Sequence, residues 1–135
     1  MVNPMPVPSE EAERARNLRR LAEYLRLAGK TGHATILLVV YRSEFVRVEA
    51  ERELVAALQT GDEQAHIVRV RVQAGEATAD IPRFIRDHPE VSRAIFFVYN
   101  LSAGGIESLR LLNYRRELLV EAGARVVLWL TEGLF

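Results

Sequence analysis

Gly29-Lys30-Thr31 is the stretch whose residue types could end a phosphate-binding loop. Such a loop has the pattern G-x-x-x-x-G-K-[ST] and lies after a strand and before a helix, where backbone N–H groups hold phosphate. Here Tyr24 replaces the first glycine, and the apolar spacing predicts a helix before the motif and a strand after it. We therefore predict a helix C-cap and a turn at this stretch, and no nucleotide hydrolysis.

No other part of the sequence has residues spaced for nucleophilic catalysis or metal binding. Cysteine is absent, which excludes disulfides, thiol catalysis and cysteine-based zinc sites. The three histidines, His33, His66 and His88, have no partners at metal-ligand spacing. Ser43 has no G-x-S-x-G elbow around it and is predicted to cap a helix. We predict no catalytic residue, no metal and no cofactor.

Charge and hydropathy limit the classes of partner. Eighteen basic residues balance eighteen acidic ones, so the chain has no overall field that would attract nucleic acid. The longest apolar run, residues 36–41, is far shorter than the ~20 residues of a membrane span. The first residues lack the pattern of a secretion signal. These features predict a cytoplasmic protein that binds neither nucleic acid nor membrane.

Helical and strand-like apolar patterns alternate along the sequence. Residues 1–8 hold three prolines and are expected to form a flexible lead-in, and residues 9–135 a single domain. Helices are predicted over 10–28, 43–61, 80–89 and 106–122. Strands are predicted over 33–41, 66–73, 93–100 and 125–130.

This alternation predicts a three-layer α/β domain with a four-stranded parallel sheet and helices on both faces. The first and third strands are apolar on both faces and are predicted to be central. The second strand alternates apolar and polar residues, as is typical of an edge. The expected strand order is therefore 2-1-3-4.

Ligands of open parallel sheets bind beyond the carboxyl ends of the strands, where the strand order reverses. In the order 2-1-3-4 this crevice lies between the first and third strands. Gly104-Gly105 at a helix start could admit an anion or form a flexible turn, and both interpretations stay open. The candidate ligand-binding rim comprises Tyr41, Arg42, Ser43, Tyr99, Asn100, Ser102, Gly104 and Gly105.

The segment FFVYNLSAGGIESLRLLNYRRELLVEAGARVVLWLTEGLF, residues 96–135, resembles part of the P-loop-like α/β module of bacterial STAND-type NTPases, which often precedes tetratricopeptide repeats. Leu112-Asn113, Arg116-Glu117 and the Val-Leu-Trp-Leu run at 127–130 carry the resemblance. The chain lacks a Walker A sequence, and Asn100 stands where a metal-binding aspartate would end the strand. The resemblance implies a protein partner or neighbouring domains, and it does not imply ATP hydrolysis.

The absence of catalytic motifs, together with this resemblance, implies a non-catalytic interaction module of a bacterial signalling or defence assembly. Arginine forks suit the carboxylates of a partner and a tyrosine can add an aromatic anchor, although a solvated helix face is the competing interpretation. Self-association also stays open. The candidate interaction residues are Asn113, Tyr114, Arg115, Arg116 and Glu117.

Two alternative functions remain. One is a degenerate nucleotide-binding domain that uses the crevice described above. The other is a STAS-like anti-sigma-antagonist domain, to which NLSAGGIESLRLLNYRRELLVEAGARVVLWL is similar through its serine-bearing loop before a helix.

Overall fold

The computed structural model describes residues 9–60 and 65–131, which contain five α-helices and four β-strands. The helices are α1 (Glu10–Thr31), α2 (Glu44–Leu58), α3 (Ile81–Arg86), α4 (Gly105–Tyr114) and α5 (Arg116–Glu121). The strands are β1 (Thr35–Tyr41), β2 (His66–Arg71), β3 (Ala94–Tyr99) and β4 (Arg125–Thr131). The predicted lead-in over residues 1–8 and the predicted helix end at Gly61 lie outside the described residues.

The four strands form one sheet in which every pairing is parallel, so the predicted parallel α/β architecture is confirmed. The strand order is β1-β4-β3-β2, and the predicted order 2-1-3-4 is therefore wrong. β2 lies at an edge and β3 lies inside the sheet, as predicted. β1 forms the opposite edge, which was assigned to β4. β3 fills the place beside β2 that was assigned to β1, and β4 fills the place that was assigned to β3.

The edge position of β1 and the internal position of β4 have a physical reason that hydropathy does not reveal. Both strands carry apolar residues on both faces, so each sequence is compatible with a central position. In the structure, Leu38 and Val40 of β1 keep 60% and 48% of their surface exposed. Residues 126–130 of β4 are all buried. β1 is thus an apolar strand at the edge of the sheet, and its side chains are only partly covered.

Two hydrophobic cores lie on opposite faces of the sheet and account for the three layers. On one face, α1 and α2 pack against Ile95, Phe97, Val127 and Trp129. On the other face, α3 and α5 pack against the intervening residues of β2, β3 and β4. The alternation along β3 and β4 therefore places successive side chains in different cores.

The ends of α1 answer the question raised by Gly29-Lys30-Thr31. These residues form the last turn of α1, and the left-handed cap is Gly32, with φ 72°, rather than Gly29. Gly29 instead leaves room for Arg125, because a Cβ at Gly29 would lie 2.5 Å from Nη1 of that side chain. The stretch thus has a structural role at a helix end, as predicted, although the cap lies three residues later.

Three helix starts have side-chain caps, and one of these caps is Ser43, as predicted. Ser9, Ser43 and Asp80 each accept a hydrogen bond from the backbone N–H three residues later, at 3.1, 3.3 and 3.4 Å. Pro82 lies in the first turn of α3, where a missing N–H costs nothing. Local sequence chemistry is therefore sufficient to place these three helix starts.

We expect Phe97→Ala to lower the free energy of unfolding by about 3–5 kcal/mol. Phe97 is fully buried, and its ring meets Trp129 edge-on with 5.7 Å between the centroids. Phe45→Ala is the matched control, because the Phe45 side chain on α2 is 73% exposed. This control should change the free energy of unfolding by less than about 0.5 kcal/mol. Urea denaturation measures both, and equal losses would contradict the described core.

Candidate functional site

The predicted crevice between the first and third strands is divided by β4. Tyr41 at the end of β1 pairs with Thr131 of β4, and Val98 of β3 pairs with Leu128 on the other side of β4. Tyr41 and Tyr99 therefore end strands that are not neighbours. The prediction that the first and third strands adjoin is wrong, because an internal β4 separates the two halves of the candidate rim.

The β1 half of this rim is joined to α2 by a series of polar contacts. The Tyr41 hydroxyl donates to Glu44 at 3.1 Å, and Nε of Arg47 donates to the same carboxylate at 2.8 Å. Nη1 of Arg47 also donates to Glu51 one turn later, at 3.3 Å. The Arg47 and Glu51 side chains are only 18% and 17% exposed, so this pair is partly shielded from solvent.

The same residues of α2 reach the β3 half of the rim. The Tyr99 hydroxyl donates to Glu51, and the Arg47 guanidinium lies 5.2 Å from the centroid of the Tyr99 ring. Arg69 of β2 forms an ion pair with Glu51 at 3.7 Å. The sequence placed Tyr41 and Tyr99 in one site, and the structure connects them through α2 rather than through a shared crevice.

The protonation states of this cluster favour a structural role. Burial raises the pKa of Tyr99, and the hydrogen bond to Glu51 raises it further. Burial also raises the pKa of Tyr41, together with its hydrogen bond to Glu44. The hydrogen bond from Arg47 holds the pKa of Glu44 below its usual value. Both phenols therefore remain protonated donors at neutral pH and hold α2 on the sheet.

The loop after β3 contains the remaining candidate ligand residues. Asn100 adopts a left-handed conformation with φ 61°, and its side-chain amide donates to the Val72 carbonyl at 3.4 Å. Ser102 is exposed in a 3-10 turn over Leu101–Gly104. A Cβ at Gly104 would lie 1.8 Å from Oγ of Ser108, so glycine is required there by close packing. Gly105 has φ 66°, which L side chains rarely adopt.

The candidate interaction residues lie where a predicted single helix is broken into two. The helix predicted over 106–122 is interrupted at Arg115, whose backbone has φ −109° and ψ 16°. Nη1 of Arg115 donates to Asp80 at 2.5 Å, and Asp80 is also the N-cap of α3. The single helix is therefore a wrong prediction. The break coincides with this ion pair, and the spacing of the leucines in the sequence does not reveal it.

An open cleft of about 400 Å³ lies beside this break, between α3 and α5. Tyr114, which is 78% exposed, stands at the cleft, with Leu118 also in its lining. We call this surface the α3–α5 cleft. Its lining residues are Arg83, Arg86, Tyr114, Arg115, Glu117, Leu118 and Glu121. Three of the five candidate interaction residues thus line it, whereas Asn113 and Arg116 are exposed outside it.

Sequence reasoning missed the α3 side of this cleft. Arg83 and Arg86 lie three positions apart on a short helix, which places both on one side of that helix. The spacing of these two arginines can be read from the sequence, but only the tertiary structure places them beside α5. Leu109 of α4 is 38% exposed, whereas Leu119 of α5 is fully buried.

The histidines have structural surroundings. Nδ1 of His33 lies 2.8 Å from the Thr31 hydroxyl, and the His88 ring packs 5.3 Å from the Phe96 ring. Within residues 9–60 and 65–131, no group of three His, Asp or Glu side chains could hold a metal ion. None of the helices in these ranges combines the length and apolar character needed to cross a membrane.

No family model, curated protein or solved structure matches the chain.

We expect Tyr99 to give the last phenol ionisation in an alkaline ultraviolet titration, because its pKa in the folded protein is raised. The neutral phenol therefore contributes stability that is complete below about pH 10 and is lost as pH rises through the folded pKa. Tyr99→Phe should remove this last ionisation and reduce the loss of stability at high pH. Tyr114→Phe, at an exposed phenol, is the control. An unchanged final ionisation in Tyr99→Phe would contradict the assignment.

Proposed function

We propose that the chain is a non-catalytic interaction module that binds protein through the α3–α5 cleft, within a bacterial signalling or defence assembly. One observation carries the proposal. Tyr114 is 78% exposed beside a cleft that arginine side chains line from both α3 and the α4–α5 break. Exposed tyrosine and arginine beside a concave surface are the residue types that dominate binding energy at protein interfaces.

The contacts of the candidate residues divide their roles. Arg115 is joined to Asp80 at the start of α3, so its first role is to position α5 beside α3. Tyr114 is 78% exposed and offers a rigid aromatic surface. Arg116 and Glu117 follow at the exposed start of α5. We therefore assign the direct partner contact to Tyr114 and the cleft, with Arg115 as a positioning residue.

The setting in a signalling or defence assembly is supported by the resemblance of residues 96–135 to modules of STAND-type regulatory proteins. Leu112-Asn113 and Arg116-Glu117, which carry part of that resemblance, flank the break between α4 and α5. The two lines of support thus converge on one corner of the molecule.

We expect Tyr114→Ala to weaken capture of the partner by about tenfold or more, the loss typical of a central interface aromatic. The measurement is affinity capture from the source cell with quantitative mass spectrometry, comparing wild type, Tyr114→Ala and Phe45→Ala baits. Phe45 is the matched control, because it is an equally exposed aromatic on α2, which packs on the opposite face of the sheet. Identical protein sets on all three baits would overturn the proposal.

One observation disfavours the alternative of a degenerate nucleotide-binding domain. The Ser108 hydroxyl is fully buried without a hydrogen-bond partner, directly under Gly104 at the start of α4. A nucleotide phosphate held at this helix start would have to compete with the packing of Ser108 against Gly104.

We expect no stabilisation by a panel of nucleotides in a thermal unfolding assay. A bound nucleotide at about a hundred times its Kd would add about 2.7 kcal/mol to the free energy of unfolding, which such an assay detects. A nucleotide that stabilises the wild type but not Ser102→Ala would instead favour the alternative. Ser9→Ala, at a serine far from the loop in sequence, controls for the substitution itself.

A further inference from the structure

The two walls of the α3–α5 cleft carry opposite charges. Arg83 and Arg86 on α3 have side chains that are 63% and 41% exposed. Glu117 and Glu121 are exposed on α5, four positions apart and so on one side of that helix. Among the described residues, no ion pair of 4 Å or less joins these two walls. The cleft therefore presents a basic ridge and an acidic ridge side by side.

The contacts of the arginines within the chain leave them able to bind more. Nε of Arg86 lies 2.9 Å from Asp87, and Nε of Arg83 lies 3.9 Å from the same carboxylate. These ion pairs are solvent-exposed, and exposed pairs contribute little to stability. Each guanidinium has five N–H donors, so one shared aspartate does not saturate the two.

We propose that the α3–α5 cleft binds the same cleft of a second copy of this chain, with the arginine pair of each copy facing the glutamate pair of the other. The inference deepens the proposed function by naming a partner for its surface. Such an interface is isologous, because each ridge of one copy contacts the complementary ridge of the other. The two copies then contribute equal numbers of opposite charges.

The geometry of the two helices fits a two-fold axis that runs along the cleft. α3 and α5 lead into the parallel strands β3 and β4 and pack on the same face, so they run in the same direction. The contact between Asp80 and Arg115 joins the starts of the two helices, so Arg83 and Glu117 both lie in the first turn, and Arg86 and Glu121 both end their helices. Rotation about this axis keeps each level and exchanges the ridges, which places α3 of each copy over α5 of the other.

A second copy fits this surface better than an acidic peptide does. A peptide rich in carboxylates would be attracted by Arg83 and Arg86 but repelled by Glu117 and Glu121 across the same cleft. An identical chain offers both signs in the required arrangement. Tyr114 of each copy, exposed at the cleft, would be covered in the same interface.

Charge exchange between copies tests the proposal. Arg83→Glu with Arg86→Glu makes both ridges acidic, and Glu117→Arg with Glu121→Arg makes both basic. Sedimentation velocity should show a dimer for the wild type, and each double variant should raise the dimer dissociation constant by about tenfold or more through like-charge repulsion. A mixture of the two double variants should associate, because every contact between their ridges then joins opposite charges.

The controls separate folding from association. Arg16→Glu with Arg20→Glu is the matched double reversal, at exposed positions of α1 on the other face, and should leave the dimer unchanged. Circular dichroism checks each variant, since Asp87 would repel new glutamates on α3. If one double variant does not fold, the fourfold exchange of both ridges restores opposite charges within the chain and should dimerise.

A wild type that is monomeric at all concentrations overturns the proposal, as does a mixture of folded double variants that does not associate. Failure of the proposed function is distinguishable. A monomer that still captures another protein in a Tyr114-dependent manner refutes only the self-association. A dimer that captures nothing refutes only the binding of a different protein.

Discussion

The sheet depends on β4 filling the space between β1 and β3. Every residue of β1 pairs with β4, and four residues of β3 pair with its other side. Val126, Leu128 and Leu130 enter one hydrophobic core, while Val127 and Trp129 enter the other. Both cores therefore pass through this single strand, and β1 has no other strand neighbour among the described residues.

Placing β1 and β2 at opposite edges imposes a long crossover on α2. The helix must cross the face above β4 and β3 to join them, and its polar contacts with Tyr41, Tyr99 and Arg69 fix that path at the carboxyl ends of the strands. Arg125 has a comparable role at the amino ends. Its guanidinium donates to the carbonyls of Leu25 and Arg93 at 3.0 and 2.9 Å. Polar contacts thus hold the helix layer at both ends of the sheet.

What the sequence could predict follows from the range of the interactions involved. Ser9, Ser43 and Asp80 cap helices through bonds only three residues long, so local sequence identifies them. The alternation of apolar and polar residues in β2 indicated a sheet edge, because its polar residues are exposed to solvent. Strand order is different, since an edge strand such as β1 can be as apolar as an internal strand when Leu38 and Val40 remain exposed.

The candidate site shows the same division. Tyr114 was a candidate interface residue from its residue type, but the break at Arg115 coincides with an ion pair to Asp80, 35 positions earlier. No periodicity encodes a contact of that separation. The basic ridge of α3 was missed for the same reason, because Arg83 and Arg86 line a cleft only when tertiary packing brings α5 beside them.

The central position of β4 also affects how the protein folds during synthesis. Thr35 pairs with Arg125, so the two pairing residues are 125 − 35 = 90 positions apart. At the ribosomal rate of about 5–20 residues per second, β1 waits roughly 5–18 s for its neighbour to be synthesised. During that interval the apolar residues of β1 have no strand beside them, and contacts of high sequence separation form slowly. The nascent chain therefore passes through a stage in which its first strand is open to chaperones and to aggregation.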